Sequence, residues 1–131
     1  MPCTTIDICA QYPEQKERAL IDAVQSALVE AFAIPPNDKN IRLVVHAPHR
    51  FACPPTAQHP SLYTHVTIDA FAGRSLDAKR KLYRAIVLHL TPLGIPPDHI
   101  LILLRESPRE NWGVRGGFAA CDVDLGFKID V

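Results

Sequence analysis

The sequence predicts an α+β fold made from a tandem βαβ repeat. It consists of a four-stranded mixed sheet with two helices on one face, followed by a C-terminal hairpin or strand. Two tripeptides support this. Thr-Ile-Asp at residues 5–7 recurs at 67–69, and Ile-Pro-Pro at residues 34–36 recurs at 95–97. Between them, both halves carry apolar residues every three or four positions, as an amphipathic helix does.

Each element has its own local signals. We expect strand one to begin at Pro2, and helix one to start near Pro13, because proline suits the first turn of a helix. Ser75 is a suitable cap for helix two. Both helices should end before their Ile-Pro-Pro segments, since the residue before proline disfavours helical geometry. The second strands of the two units are predicted at residues 41–46 and 100–105.

The order of the strands follows from their connections. A strand–helix–strand unit implies a right-handed crossover and parallel pairing. Two such units related by a pseudo-twofold axis give the order two, one, three, four, with strands one and three antiparallel at the centre. We expect one domain over residues 1–131, with pseudo-repeats 1–47 and 63–105 and an extension at 106–131. In that extension, 112–117 is predicted as a turn-rich loop and 123–131 as a short strand or hairpin.

Composition excludes several classes of partner. The 131 residues carry 14 acidic and 14 basic side chains, so we expect no nucleic acid or membrane partner. No apolar run approaches the roughly 20 residues that span a bilayer. Without a recognisable export signal, the scattered cysteines are expected to be reduced thiols of a cytoplasmic protein. No cofactor or metal is expected.

Strand four points to self-association. Residues 100–104 are apolar at every position, although the helices cover only one face of the sheet. Monomers rarely expose such a surface, so we expect another subunit to cover it. The predicted assembly is a homo-oligomer.

Three chemically useful groups converge at one end of this sheet. Removal of Met1, which is normal before a small residue, would leave Pro2 as a free secondary amine. Arg74 follows the antiparallel strand three, and Asp38 lies in the loop that enters strand two. Arg74 can clamp a carboxylate and stabilise an enolate. A neutral Pro2 nitrogen can move a proton between carbons, whereas a cationic one can polarise a carbonyl while Asp38 activates water.

The chain resembles the tautomerase superfamily, named for 4-oxalocrotonate tautomerase. The resemblance is carried by Met1-Pro2, the doubled βαβ unit, the segment Ala-Gly-Arg-Ser at 72–75 and Glu-Asn-Trp-Gly at 110–113. It is nearest to the fused, double-length branch that includes malonate semialdehyde decarboxylase. The resemblance implies that Pro2 is catalytic, that Arg74 binds the substrate carboxylate and that Trp112 lines the site. It also implies a homotrimer in which tail residues complete a neighbour's pocket.

Two departures from the decarboxylase pattern favour tautomerase activity. Ala72 stands where that pattern has a second arginine, and a longer loop lets Asn40 compete with Asp38 for the matching position. Arg115 is a further candidate for substrate binding.

The hypothesis is a cofactor-independent keto–enol tautomerase acting on a small 2-hydroxy-dienoate or enolpyruvate-type acid. The first alternative is a decarboxylase- or dehalogenase-like hydratase with protonated Pro2 and Asp38. The second is a non-catalytic ligand-binding module, because the element order βαββαβ is also that of ferredoxin-like domains.

Overall fold

The computed structural model describes all residues from 1 to 131 and contains two helices and six strands. The first unit comprises β1 (Cys3–Ile8), α1 (Glu14–Phe32) and β2 (Ile41–Val45). The second comprises β3 (Thr64–Phe71), α2 (Leu76–Leu90) and β4 (Ile100–Ser107). Two short strands, β5 (Gly113–Val114) and β6 (Phe118–Ala119), follow in the tail.

The predicted strand order is confirmed. The main sheet has the order β2-β1-β3-β4, with parallel pairing within each unit and antiparallel pairing of β1 with β3. β1 and β2 pair directly, whereas a ferredoxin-like split βαβ unit has another strand between its two parallel strands. The ferredoxin-like alternative is therefore wrong for the fold.

Both helices pack on the same face of the sheet. Alternate residues of β1 and β3 point toward them, and the side chains of Ile6, Val66 and Ile68 are fully buried. Each Ile-Pro-Pro segment places its isoleucine in this core, with Ile34 and Ile95 almost inaccessible. The repeat in the sequence therefore corresponds to a repeat in packing, and both halves contribute to a common core.

The helix ends agree with their local signals. α1 begins directly after Pro13, and α2 is capped by Ser75, whose hydroxyl accepts a hydrogen bond from the Ala78 amide at 3.1 Å. α1 ends at Phe32, where Ala33 adopts the left-handed conformation and turns the chain toward the Pro-Pro segment. Neither helix combines the length and the hydropathy that crossing a bilayer requires.

The predicted C-terminal hairpin is confirmed, but its position in the tail differs from the predicted one. The hairpin is formed by β5 and β6, within and just after the segment predicted as a loop, whereas residues 123–131 contain no strand. This last segment docks through side chains, because Phe127 and Val131 pack against the main core. Its backbone turns at Gly126, which has a φ of 79°, and the Val131 carbonyl accepts a hydrogen bond from the Ser75 amide. The tail is thus anchored beside the start of α2.

The face of the sheet away from the helices remains open. β4 exposes Leu101 and Leu103 there, with 49% and 53% of each side chain accessible. This is the apolar surface that the sequence predicts to be covered by another subunit.

Candidate active site

Arg74 is buried at the end of β3 with part of its guanidinium unused. The residue is 6% exposed, and its guanidinium carbon lies 4.6 Å from the centre of the Phe32 ring. Nη1 donates to the Phe71 carbonyl at 3.2 Å, while Nε and Nη2 have no acceptor. Buried donors are normally paired, because an unpaired one costs roughly 1–3 kcal/mol. The free Nε–Nη2 edge, hereafter the Arg74 fork, has the geometry that binds a carboxylate through two parallel hydrogen bonds.

The loop between α1 and β2 presents Asp38 to the same end of the sheet. The Asp38 amide donates to the Pro35 carbonyl, which closes a turn, and the Asn40 carbonyl accepts from the Thr4 amide of β1. Gln25, a nearly buried residue of α1, donates through Nε2 to the carbonyls of Pro36 and Asp38 at 3.2 and 3.0 Å. These bonds fix the backbone of the loop.

Asn40 also contacts the Asp38 carboxylate directly. Its amide nitrogen donates to Oδ1 of Asp38 at 3.1 Å. Of the two candidates for this position, Asp38 is therefore the residue that faces the amino terminus. Asn40 is exposed to solvent and donates a hydrogen bond to Asp38.

The amino terminus lies between the two charged residues. The Met1 ammonium is 3.4 Å from Oδ2 of Asp38, and Pro2 is buried beneath it. The pKa of this ammonium is lowered, chiefly by burial and further by the positive charge of Arg74, whereas the Asp38 carboxylate raises it. Burial also lowers the pKa of the Arg74 guanidinium, and the carboxylates of Glu106 and Asp38 act in the opposite direction. The net effect on the pKa of the Met1 ammonium is downward.

A cavity of about 310 Å³ opens beside the Met1 amine. Asp38 and Arg115 both line it, and the tail adds Leu125 and Phe127. Arg115 has a left-handed backbone with a φ of 51°, and its Nη1 donates to the Asp124 carbonyl at 2.8 Å. Such strain in a non-glycine residue is frequent at binding sites.

Trp112 lies next to this region but does not line the cavity. Its ring meets the Phe71 ring edge-on at 4.9 Å, and its indole nitrogen donates to the Ser107 hydroxyl at 2.8 Å. Trp112 and Met1 pack against the same small apolar cluster, which contains Phe71 and Val114. The structure therefore brings Pro2, Asp38, Asn40, Arg74 and Arg115 to one end of the sheet. Of these residues, only Asp38 and Arg115 line the cavity.

Sequence reasoning missed several residues of this site. Leu125 and Phe127 belong to the segment that was expected to form a strand. Gln25 did carry a signal, because it is a polar residue next to Val24 on the apolar stripe of α1, and buried polar residues usually have a specific partner.

Comparison with known proteins agrees with this architecture. A family model described as tautomerase enzyme matches residues 38–115, which is more than half of the chain. The FG41 malonate semialdehyde decarboxylase inhibited by 3-bromopropiolate is 29% identical, with 89% of this chain and 92% of that chain covered and a TM-score of 0.76.

Two more distant structures share the fold along nearly their whole length. Another malonate semialdehyde decarboxylase is 23% identical, with 93% of this chain and 99% of that chain covered and a TM-score of 0.83. A fused 4-OT described as an asymmetric trimer is 17% identical, with 95% and 99% covered and a TM-score of 0.82. Together with the family model, they place both βαβ units and the tail in one known architecture. The chain belongs to the tautomerase family.

Proposed function

We propose that the protein is a cofactor-independent keto–enol tautomerase of a small carboxylic acid of the 2-hydroxy-dienoate or enolpyruvate type. Once Met1 is removed, Pro2 takes a proton from the enol side of the substrate and returns it to carbon. Arg74 holds the carboxylate and stabilises the negative charge that develops on the neighbouring oxygen. Arg115 and Asn40 contact the distal part of the substrate, and Trp112 supports the apolar wall.

The observation that carries the proposal is the Arg74 fork. A cationic side chain with 6% exposure and two unpaired donors is expected to have a ligand that is an anion. The fork is near enough to the terminal amine for its charge to lower the pKa of that amine.

The charge state of the amine favours proton abstraction. Burial and Arg74 lower the pKa of the Met1 amine, Asp38 raises it, and the net direction is downward. We infer the same direction for the Pro2 nitrogen once Met1 is removed, which increases the fraction of neutral base. A general base works best when its pKa lies close to the working pH. The activity should therefore rise with pH through the pKa of the amine.

The test compares processed and unprocessed protein. Intact mass first establishes whether Met1 is absent, and ketonisation of phenylenolpyruvate is then followed by ultraviolet absorbance. We expect processed protein to be active, protein that retains Met1 to be inactive, and Pro2→Ala, which keeps a terminal amine, to be much slower. Equal rates for processed wild type and Pro2→Ala would contradict the role of Pro2.

A second candidate is a hydration-linked decarboxylase or dehalogenase of a three-carbon acid. Its support is Asp38, whose carboxylate is only 12% exposed and lies 3.4 Å from the terminal ammonium, where it raises the pKa of that group. In this reaction cationic Pro2 polarises a carbonyl and Asp38 activates water. Titration of Pro2 separates the two candidates, because a pKa well below neutrality excludes a mechanism that requires the cation.

We also propose a homotrimer. The fused 4-OT structures include symmetric and asymmetric trimers. In this chain, Leu101 and Leu103 are half exposed on the open face of the sheet, where a neighbouring subunit would bury them. Analytical ultracentrifugation at micromolar concentration should show a trimer, and a stable monomer would contradict the assignment.

A further inference from the structure

The Arg74 fork remains open although a carboxylate lies near it. Glu106 stands on β4 in register with Ala70 of β3, one residue before Phe71, whose carbonyl accepts from Arg74. Glu106 and Asp38 both act on the charge of Arg74, and Glu106 has the larger effect. A guanidinium with unpaired donors can form a charge-assisted pair with a neighbouring carboxylate. Glu106 is instead paired with another cation.

Lys79 holds it. The Lys79 ammonium lies 2.5 Å from Oε1 of Glu106, and both side chains are about one quarter exposed. Lys79 belongs to the first turn of α2, and its amide donates to the Ser75 carbonyl. Ser75 in turn follows Arg74 in sequence and anchors the end of the tail. The Lys79 ammonium and the Arg74 guanidinium are therefore carried by one continuous segment of backbone. Of these two cations, only Lys79 pairs with Glu106.

The other carboxylate near Arg74 is occupied in the same way. Asp38 accepts from Asn40 through Oδ1 and faces the terminal ammonium through Oδ2. Glu106 is thus paired with Lys79, and Asp38 is engaged through Oδ1 by Asn40. Oδ2 of Asp38 has only the 3.4 Å contact with the terminal ammonium and no hydrogen bond, and Nε and Nη2 of Arg74 have no acceptor. The arrangement leaves a buried cation with two donors that no acceptor of the chain satisfies.

We propose that Lys79 is a positioning residue for substrate binding: by holding Glu106, it keeps the Arg74 fork open for the carboxylate of the substrate. The inference rests on the proposed function of Arg74. In Lys79→Met, Glu106 is released and pairs with Arg74, so that a substrate carboxylate must compete with a carboxylate of the protein. The expected signature is weaker binding with little change in the chemical step.

The experiment is a double-mutant cycle on the processed protein with phenylenolpyruvate. Lys79→Met should raise KM about tenfold, the effect of losing somewhat less than one charge-assisted hydrogen bond, with kcat nearly unchanged. Glu106→Gln should restore KM in the Lys79→Met background but have little effect alone. If Lys79 and Glu106 acted independently on the substrate through their charges alone, the free-energy effects of the two substitutions on KM would be additive. Additivity would therefore overturn the proposal.

A matched control and a second readout separate this inference from the function itself. Arg80→Met removes one cation from an exposed ion pair with Asp77 on the same helix and should leave KM unchanged. The Nε–H resonance of Arg74 in nitrogen-15 spectra should move in Lys79→Met and return in the double variant. That resonance and the Kd of phenylpyruvate need no turnover, so they test the role of Lys79 even if ketonisation is absent. An unmoved resonance with an unchanged Kd would refute it.

Discussion

Arg74→Met should increase stability while abolishing substrate binding. In the ligand-free protein, Nε and Nη2 are buried without acceptors, at roughly 1–3 kcal/mol for each donor. The substitution also removes the contact with the Phe32 ring and one hydrogen bond to the Phe71 carbonyl, worth about 1 kcal/mol each. An unbranched apolar side chain can occupy much of the same space. The balance predicts a net gain of roughly 2 kcal/mol in the free energy of unfolding, within a range of roughly 0–4 kcal/mol.

The loss of function should be large because both donors of the fork disappear together. Two charge-assisted hydrogen bonds, at roughly 1.5–3 kcal/mol each, correspond to a decrease of about 10²–10⁴ in kcat/KM. Arg74→Lys keeps a positive charge but offers no planar fork, so its loss of kcat/KM should be intermediate. This opposition between stability and activity is typical of residues whose unsatisfied groups serve a ligand.

Two measurements test this reasoning. Thermal unfolding of Arg74→Met should show an increase in Tm of roughly 4 °C or more, as expected of a domain of this size. Phenylenolpyruvate ketonisation should be nearly lost in the same preparation. If Arg74→Met lowers Tm and retains activity, the guanidinium is a structural group and the buried fork is not a ligand site. Saturating phenylpyruvate should stabilise wild type but not Arg74→Met.

Three further predictions concern the residues around Arg74. Asp38→Asn removes the negative charge that raises the pKa of the terminal amine, so the rise of kcat/KM with pH should move to lower pH; a shift to higher pH in the pH–rate profile would contradict this. Gly73→Ala should lower stability by more than about 1 kcal/mol in urea unfolding, since Gly73 has a φ of 133° and an added methyl group would lie 3.1 Å from Ile129. Ser75→Ala removes the cap on Ala78 and should lower the unfolding free energy by about 1 kcal/mol, and Ser75→Asp should largely restore it.

The fold could be predicted from the sequence because its two halves repeat the same local sequence signals. Both helices end before their Ile-Pro-Pro segments, and Ser75 marks the start of the second, so the order of the elements followed from local chemistry. The directions of adjacent strands then predicted that Pro2, Asp38 and Arg74 lie at one edge of the sheet, without any knowledge of side-chain contacts. The tail was harder to predict, because residues 123–131 have no periodicity. They are ordered by packing and by hydrogen bonds to separate parts of the chain, from Arg115 to Asp124 and from Ser75 to Val131.

The two ends of the sheet show why the pattern alone could not define the site. At the end opposite Pro2, the loop before β4 places His99 where the first unit has Asp38, and this histidine is 2% exposed. It contacts Asp98 at 2.8 Å and accepts from the His59 amide at 3.0 Å, so both ring nitrogens are occupied within the chain. The two ends of the same fold thus differ. At one end the hydrogen bonds of the buried His99 are satisfied, and at the other end Arg74 has two buried donors without acceptors. What separates a structural end from a site for chemistry is unsatisfied hydrogen bonding, a property of side-chain contacts that repeats in sequence do not report.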